Sequence, residues 1–310
     1  MYRVTRKRKH GRKYRKYTAL RNVMIIILTI MGIMLGQNQI IKEPSWKKEN
    51  VNSQMEVHFL DMGQSDSTLI ICDGKAMLID AGDSDKGTKI QLYLKKCGIS
   101  KLDYLVLTHP DADHIGGADV IITKFDIDNI FMSDYEKSTK TYKRTLEALE
   151  YKNYKWTLPK AGSSYSLGDA KITILGPDCS YDDPNNSSIV LALTHGSNRF
   201  LFMGDAEEEA EKKLLNTTYD PEADVLKVGH HGSKTSSSEE FLDAVNPDSA
   251  VISCGIDNSY GFPHAKTLNN LRFRGIDVYR TDNQGTIVAV SDGNKITWNA
   301  APDTTWQAGE

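Results

Sequence analysis

Two hydrophobic periods run along this chain. From Met55 onward, short apolar or alternating runs are split by glycine and aspartate, and between them lie stretches whose apolar residues recur three or four positions apart. The first pattern fits strands, whose side chains alternate between faces; the second fits helices that bury one stripe. Strands are predicted over 55–60, 67–72, 76–80, 104–107, 127–132, 171–175, 188–194, 200–203, 225–228, 250–253, 278–280, 286–290 and 295–298. Helices are predicted over 88–97, 116–124, 139–151, 206–215, 239–245 and 268–274. Gly98 follows the first helix as a C-cap residue. The helix over 206–215 carries Glu early and Lys late, as the helix dipole favours. The order is β-rich first, then mixed α and β. Residues with chemical potential repeatedly follow strand C-termini, where α/β folds expose ligand sites.

The N-terminus reads differently. Residues 1–22 hold ten Lys/Arg and no Asp or Glu, and an apolar run, VMIIILTIMGIMLG, follows over 23–36. A basic segment before an apolar run is an export or anchoring signal. We expect an uncleaved signal anchor over 23–41, with a cleaved signal peptide or a peripheral helix as the alternatives. The positive-inside rule puts the basic segment 1–22 in the cytoplasm and the body on the extracellular side. Polar residues 42–54 read as a linker, 55–300 as the folded domain and 301–310 as a tail. Outside the basic segment, 28 of the 38 Lys/Arg stand against all 41 Asp/Glu, a net −13. An acidic body argues against broad, non-specific nucleic-acid binding, which needs basic surface. Cys72, Cys97, Cys179 and Cys254 form no C-x-x-C pair, which argues against a cysteine zinc site.

The densest chemistry is Thr108-His109-Pro110-Asp111-Ala112-Asp113-His114. On an extended loop, positions 109, 111 and 113 point one way and 114 the other. Such a loop can present ligands to two metals, and imidazole with carboxylate suits zinc, manganese or iron. Gly116-Gly117 lets the next helix start pack closely. Further candidates follow later strands: Asp205, His230-His231 and His264. Asp205 and His264 each have a helix-capping alternative. Asp61, Gln64 and Asp66 are either turn or site residues. His10, His58 and His195 match no pattern.

Here the sequence resembles a known family. The stretch from Thr108 to Gly117 is similar to the signature loop of the metallo-β-lactamase superfamily, usually H-x-H-x-D-H, with Asp111 in place of the second His. That variant resembles the extracellular metallo-hydrolase domain of ComEC-type competence proteins, and also secreted phosphorylcholine esterases. Phe59-Leu60-Asp61-Met62-Gly63-Gln64-Ser65-Asp66-Ser67 resembles the ComEC-type opening motif F-L-D-V-G-Q-G-D-S. Leu78–Gly82, Asn186-Ser187-Ser188, Phe202–Asp205, the L-K-V-x-H-H-G-S run from Leu226 to Ser233 and the stretch from Asn258 to His264 match further elements in order. The resemblance implies a four-layer αββα sandwich. It implies His109, Asp111, Asp113, His114, Asp205 and His230 as metal ligands, with Asp205 bridging and His230 favoured over His231. Asp113, His231 and His264 would be the catalytic residues, Asp113 orienting or deprotonating the attacking water. Asp80 would fix a ligand's orientation. Ser233, Asn258 and Tyr260 would line the substrate side. Two departures stand out: Phe262 replaces the usual His, and Asn186-Ser187 occupy the region of a usual third ligand.

The expected cofactor is one or two zinc ions, or manganese. The expected function is hydrolysis by a metal-bound hydroxide, acting on an extracellular phosphodiester in DNA or another phosphoester. Lys227, Lys234 and Arg272 are candidates for a local basic patch. The alternatives are a choline phosphoester or lactone hydrolase, with Tyr165, Tyr181 and Tyr260 available for an aromatic cage, and a non-catalytic surface protein with a structural metal. The membrane, through the anchor, is the expected partner besides substrate.

Overall fold

The computed structural model describes residues 53–309. The basic segment, the expected signal anchor over 23–41 and most of the expected linker lie outside the described residues. Among the described residues no helix is long and apolar enough to cross a membrane.

Alternation of side chains builds two sheets with three apolar layers between and around them. The first sheet contains β1 (Met55–Phe59), β2 (Thr68–Cys72), β3 (Lys75–Ile79), β4 (Lys101–Leu107), β5 (Asp126–Met132), β13 (Ile287–Ser291) and β14 (Ile296–Trp298), in the order β14-β13-β1-β2-β3-β4-β5. The second contains β6 (Ser164–Leu167), β7 (Ala170–Gly176), β8 (Val190–His195), β9 (Asn198–Phe202), β10 (Val225–Lys227), β11 (Ser249–Ile252) and β12 (Asp277–Arg280), in the order β12-β11-β10-β9-β8-β7-β6. Met77 and Ile79 on β3 point into the inter-sheet core with Phe200 and Phe202 of β9, whereas Leu78 points outward. Both faces of the central strands are therefore covered, which is why they read as continuous apolar runs.

The outward faces are roofed by helices. Against the first sheet lie α1 (Gly87–Lys96), the short turn α2 (Ala112–Ile115), α3 (Ala118–Lys124) and α4 (Lys140–Tyr151), through Ile90, Leu94, Ile115, Ile121 and Leu149. Against the second lie α5 (Glu208–Leu215), α6 (Glu239–Val245) and α7 (Ala265–Phe273), through Leu214, Phe241 and Leu268. A last turn, α8 (Thr281–Gln284), precedes β13. The result is the expected four-layer αββα sandwich. Each fully buried Leu, Ile or Phe stabilises it by about 1.5–3 kcal/mol.

Several boundaries differ from the sequence reading. The helix expected over 116–124 is α3, beginning at Ala118, and an unexpected short helical turn, α2, precedes it across Gly116-Gly117. β6 was not expected: it is a polar, mostly exposed edge strand, paired with β7 through a two-residue Gly168-Asp169 turn. That Gly-Asp pair is the sequence signal for it. Residues 301–309, expected as a tail, pack on the domain: Asp303 N donates to Val278 O at 2.7 Å and Gly309 N to Pro263 O at 3.0 Å.

The Gly116-Gly117 joint places the metal-ligand loop. A Cβ on Gly117 would lie 2.5 Å from the Ala81 carbonyl oxygen and 2.6 Å from Gly87 Cα. Backbone on both sides leaves no flexible group to yield. Gly117→Ala is expected to destabilise the domain by about 1–3 kcal/mol, read as a lowered Tm; an unchanged Tm would show that the joint has slack.

Candidate metal centre

Parallel strands set the site at one edge of the sandwich. β3, β4 and β5 run parallel, as do β9, β10, β11 and β12. Asp80 follows β3, His109 follows β4, Asp205 follows β9 and His230-His231 follow β10. Both sheets thus deliver ligand-type side chains from strand C-terminal ends.

Asp205 is the focus. Its carboxylate is buried, and four imidazole Nε2 atoms surround it: His114 at 3.2 Å, His230 and His231 at 3.7 Å, and His109 at 3.8 Å. Each ring is turned this way because its other nitrogen is held. His114 Nδ1 meets Asp80 Oδ2 at 2.8 Å, His230 Nδ1 meets Glu207 Oε1 at 2.8 Å, and His231 Nδ1 donates to Ser253 O at 2.8 Å. His109 Nδ1 lies 3.2 Å from Thr108 Oγ1 and 3.4 Å from Ser188 Oγ. Thr108 Oγ1 donates to Asp80 Oδ2 at 2.7 Å, so a lone pair faces His109. Asp80 also accepts from Thr108 N at 2.8 Å, which makes one buried carboxylate the anchor of two rings. Ser188 Oγ in turn accepts from Asp205 N at 3.0 Å.

Three of these atoms, His109 Nε2, His114 Nε2 and Asp205 Oδ1, are buried without a well-formed hydrogen bond, although His114 Nε2 comes within 3.2 Å of Asp205 Oδ1. Unsatisfied buried polar atoms are costly and rare, and here they face one another. Ligand atoms of Asp113, His114, Asp205 and His231 lie within 4.8 Å of one another. An imidazole and carboxylate set of this kind fits a divalent metal, and its buried orphan atoms are the ones such an ion would satisfy.

The electrostatics agree. Burial opposes charge on His114, yet Asp205 and Asp80 outweigh it and raise its pKa well above the usual value. Burial likewise opposes charge on His231, but Asp205 and Asp66 push it up to about 8. Burial would raise Asp205, but His114 and His231 hold it well below the usual carboxylate range. His109 is lowered, by burial and then by His114. The pocket draws in positive charge, for which protons and a metal compete.

Not every expected residue joins the group. The Asp111 carboxylate pairs with Lys137 Nζ at the start of α2 and is not one of the four-residue cluster. His264 stands at the rim: its Nδ1 accepts from Lys234 N at 2.9 Å, and its ring is edge-on to Phe262 at 5.0 Å. It occupies the N-cap position of α7 without a side-chain cap bond. Asp205 is no helix cap either; the N-cap position of α5 is Glu207. Asn186 Oδ1 serves that helix start instead, accepting from Glu207 N at 3.0 Å and Ala210 N at 3.2 Å. Both His230 and His231 reach Asp205 at 3.7 Å, but His231, expected as a catalytic residue, stands in the four-residue cluster, and His230, the favoured ligand, does not. Both have left-handed backbones, φ 48° and 53°, so successive side chains converge where an extended strand would splay them. Such conformations cost non-glycine residues about 1–3 kcal/mol each and cluster at functional sites.

Other expectations need correction. Lys227 is buried, donating to Asp66 Oδ2 at 2.7 Å, and offers nothing to a basic patch. Arg272 lies over the Trp306 ring at 5.6 Å. Tyr165 packs on Phe131 at 4.8 Å against the inter-sheet core, and Tyr181 sits under Lys213 at 4.6 Å, so they build no cage with Tyr260. Asp61 Oδ1 accepts from Gly63 N as a turn residue, whereas Gln64 Oε1 accepts from Gly255 N at 3.0 Å and ties the opening loop to the site edge. His58 bonds Tyr93 and Glu56, and His195 bonds Ser291, both apart from the metal group. The four cysteines are free. Glu207 was missed: at a helix start it reads only as a dipole partner.

Comparison with known proteins agrees with this architecture. Residues 60–256 match the family described as the metallo-beta-lactamase superfamily. The chain is 34% identical to "ComE operon protein 3" of Bacillus subtilis over 76% of its own length and 33% of that protein. It is 35% identical to "Recombination protein 2" of Haemophilus influenzae over 84% of its length and 30% of that protein. It therefore spans about a third of these curated relatives. Among solved structures, the metallo-beta-lactamase fold protein YhfI from Bacillus subtilis superposes with TM-score 0.52 at 12% identity, covering 77% of this chain and all of that one, a likeness of fold alone.

Two outcomes are expected. Asp80→Asn leaves His114 Nδ1 and the Thr108 pair without their shared carboxylate, and should weaken metal binding about 10–100-fold by calorimetry; unchanged affinity would remove Asp80 from the design. Metal binding should also weaken as pH falls from about 8 towards 6, because His231, raised to about 8, gains a proton that the metal must displace. A flat affinity across that window would contradict this competition.

Proposed function

Because the chain belongs to the metallo-β-lactamase superfamily, we propose that it is a metal-dependent hydrolase of phosphodiesters, with DNA or another extracellular phosphoester as substrate. The carrying observation is the convergence of four imidazoles on buried Asp205 beside half-exposed Asp113. The name of one relative, "Recombination protein 2", favours a nucleic acid. The basic segment 1–22 and the apolar run over 23–36 support a membrane anchor with the domain outside.

Asp113, His114, Asp205 and His231 would hold the metal, with His109 and His230 flanking Asp205. Zinc and manganese both suit this set. When bound, the metal supplies positive charge against the phosphodiester anion and makes water a stronger acid. Asp113 is the member of the group that solvent reaches, with 32% of its side chain exposed. Burial would raise its pKa, but the His231 hydrogen bond at 3.2 Å and the charge of His114 hold it low, so it remains a carboxylate. It is placed to accept a hydrogen bond from the attacking water and orient it. Glu207 and Asp80 keep His230 and His114 in register through their Nδ1 atoms. On the rim, exposed Lys234 and half-buried His264 stand where substrate oxygens would pass. A choline phosphoester is less well served, because the candidate cage tyrosines are dispersed.

The test uses the full chain, stripped of metal and reloaded separately with zinc or manganese. Bis-p-nitrophenyl phosphate and DNA should be cleaved only after reloading, and Asp113→Ala should lower kcat about 10²-fold or more. DNA cleavage should fall steeply with salt, as phosphate contacts require. Tight metal binding with no cleavage of either substrate would sink the phosphodiesterase reading.

A further inference from the structure

An aromatic ladder leads from the metal group to open solvent. His231 stacks on Phe262 with ring centroids 6.0 Å apart and planes at 22°, and Phe262 stacks on Tyr260 at 5.4 Å and 11°. Phe262 is buried, with His230 at 5.3 Å and His264 at 5.0 Å meeting it edge-on. Tyr260 is 64% exposed and ends the ladder with an outer face open to solvent. A tyrosine this exposed, braced on a buried ring beside ligand-type histidines, is poorly explained by packing.

The loop holding it is tied down by hydrogen bonds. Asn258 Nδ2 donates to Gly255 O at 2.9 Å and Phe262 O at 2.6 Å, and its Oδ1 accepts from Phe262 N at 2.9 Å. Gly309 packs so closely that a Cβ there would lie 2.4 Å from Phe262 O. A pre-ordered platform spends little entropy on receiving a flat ligand. Beyond His264 lie two exposed cations, Lys234 and Lys266, the latter donating to Lys234 O at 3.4 Å. Of the nearby carboxylates, Glu207 is engaged by His230 and Thr235 and Glu208 by Lys212, whereas Asp257 of the same loop is exposed.

We propose that Tyr260, backed by Phe262, is a stacking platform for an unpaired nucleobase, which makes single-stranded nucleic acid the preferred ligand of this site. The inference rests on the phosphodiesterase reading and deepens it. One open aromatic face beside cations is the arrangement that single-strand binding uses, with the ring taking a base and the cations following the backbone. A base paired in a duplex has no free face to offer. A quaternary ammonium wants several enclosing rings, and here there is one.

The experiment measures binding to the metal-free full chain by fluorescence anisotropy, separately from turnover. The probes are a labelled oligothymidylate of about ten nucleotides, the same strand made abasic, and the corresponding duplex. The native chain should bind the base-bearing strand at least about fivefold more tightly than either other probe. Tyr260→Ala should erase that preference, and Tyr260→Phe, which keeps the ring, should retain it. Equal affinity for base-bearing and abasic strands, or a preference that survives Tyr260→Ala, overturns the platform even if bis-p-nitrophenyl phosphate is cleaved. A Tyr260-dependent preference in a chain that cleaves nothing upholds the platform and overturns the phosphodiesterase reading. Because Tyr260 is exposed, Tyr260→Ala should keep the native Tm, which separates lost stacking from lost fold.

Discussion

A buried carboxylate surrounded by imidazoles is the constraint on which this molecule is built. Asp205 sits after β9, in the second sheet, yet two of its four imidazole neighbours, His109 and His114, come from the first. Isolated, such a charge would be expensive to bury. It is tolerable only when both sheets dock with their strand ends aligned, so that the polar edge and the apolar interior specify the same arrangement. The Asp66–Lys227 pair repeats this logic nearby, joining a loop of the first sheet to a strand of the second. Breaking one partner of such a buried pair is far costlier than never having built it.

The sequence made much of this legible because the fold repeats one device. A buried strand, then a polar residue at its C-terminal end, is a pattern that hydrophobic runs reveal directly; Asp80, His109 and Asp205 all stand at such ends. What stayed hidden depends on contacts between distant segments. Nothing near Lys227 announces that its ammonium is spent on Asp66, and nothing near Asp111 announces Lys137. The His230-His231 choice was hidden for another reason. Strand geometry sends neighbours to opposite sides, and only two successive left-handed residues allow both to converge. Tight turns of this kind leave little trace when the residues are not glycine.

The orienting contacts deserve equal weight with the ligands. Four rings point one way because their far nitrogens are occupied by a carboxylate, a glutamate, a carbonyl and a pair of hydroxyls. The chemistries differ, but the effect is common: Nδ1 is committed and Nε2 is freed. Asn186-Ser187-Ser188, where the family's third ligand is usually found, has become part of this support, with Asn186 holding a helix start and Ser188 bracing Asp205 and His109.

The distribution of ligands along the chain also has a consequence for biosynthesis. His109 and Asp113 leave the ribosome early, whereas His231 and the Phe262 that packs on it come late, with the whole of α4 through β10 between them. Contacts so distant in sequence form only after the intervening chain has been ordered. A chain that ends before β10 holds the loop of histidines and aspartates without His231, so the four-residue cluster is incomplete until both halves of the sandwich are present.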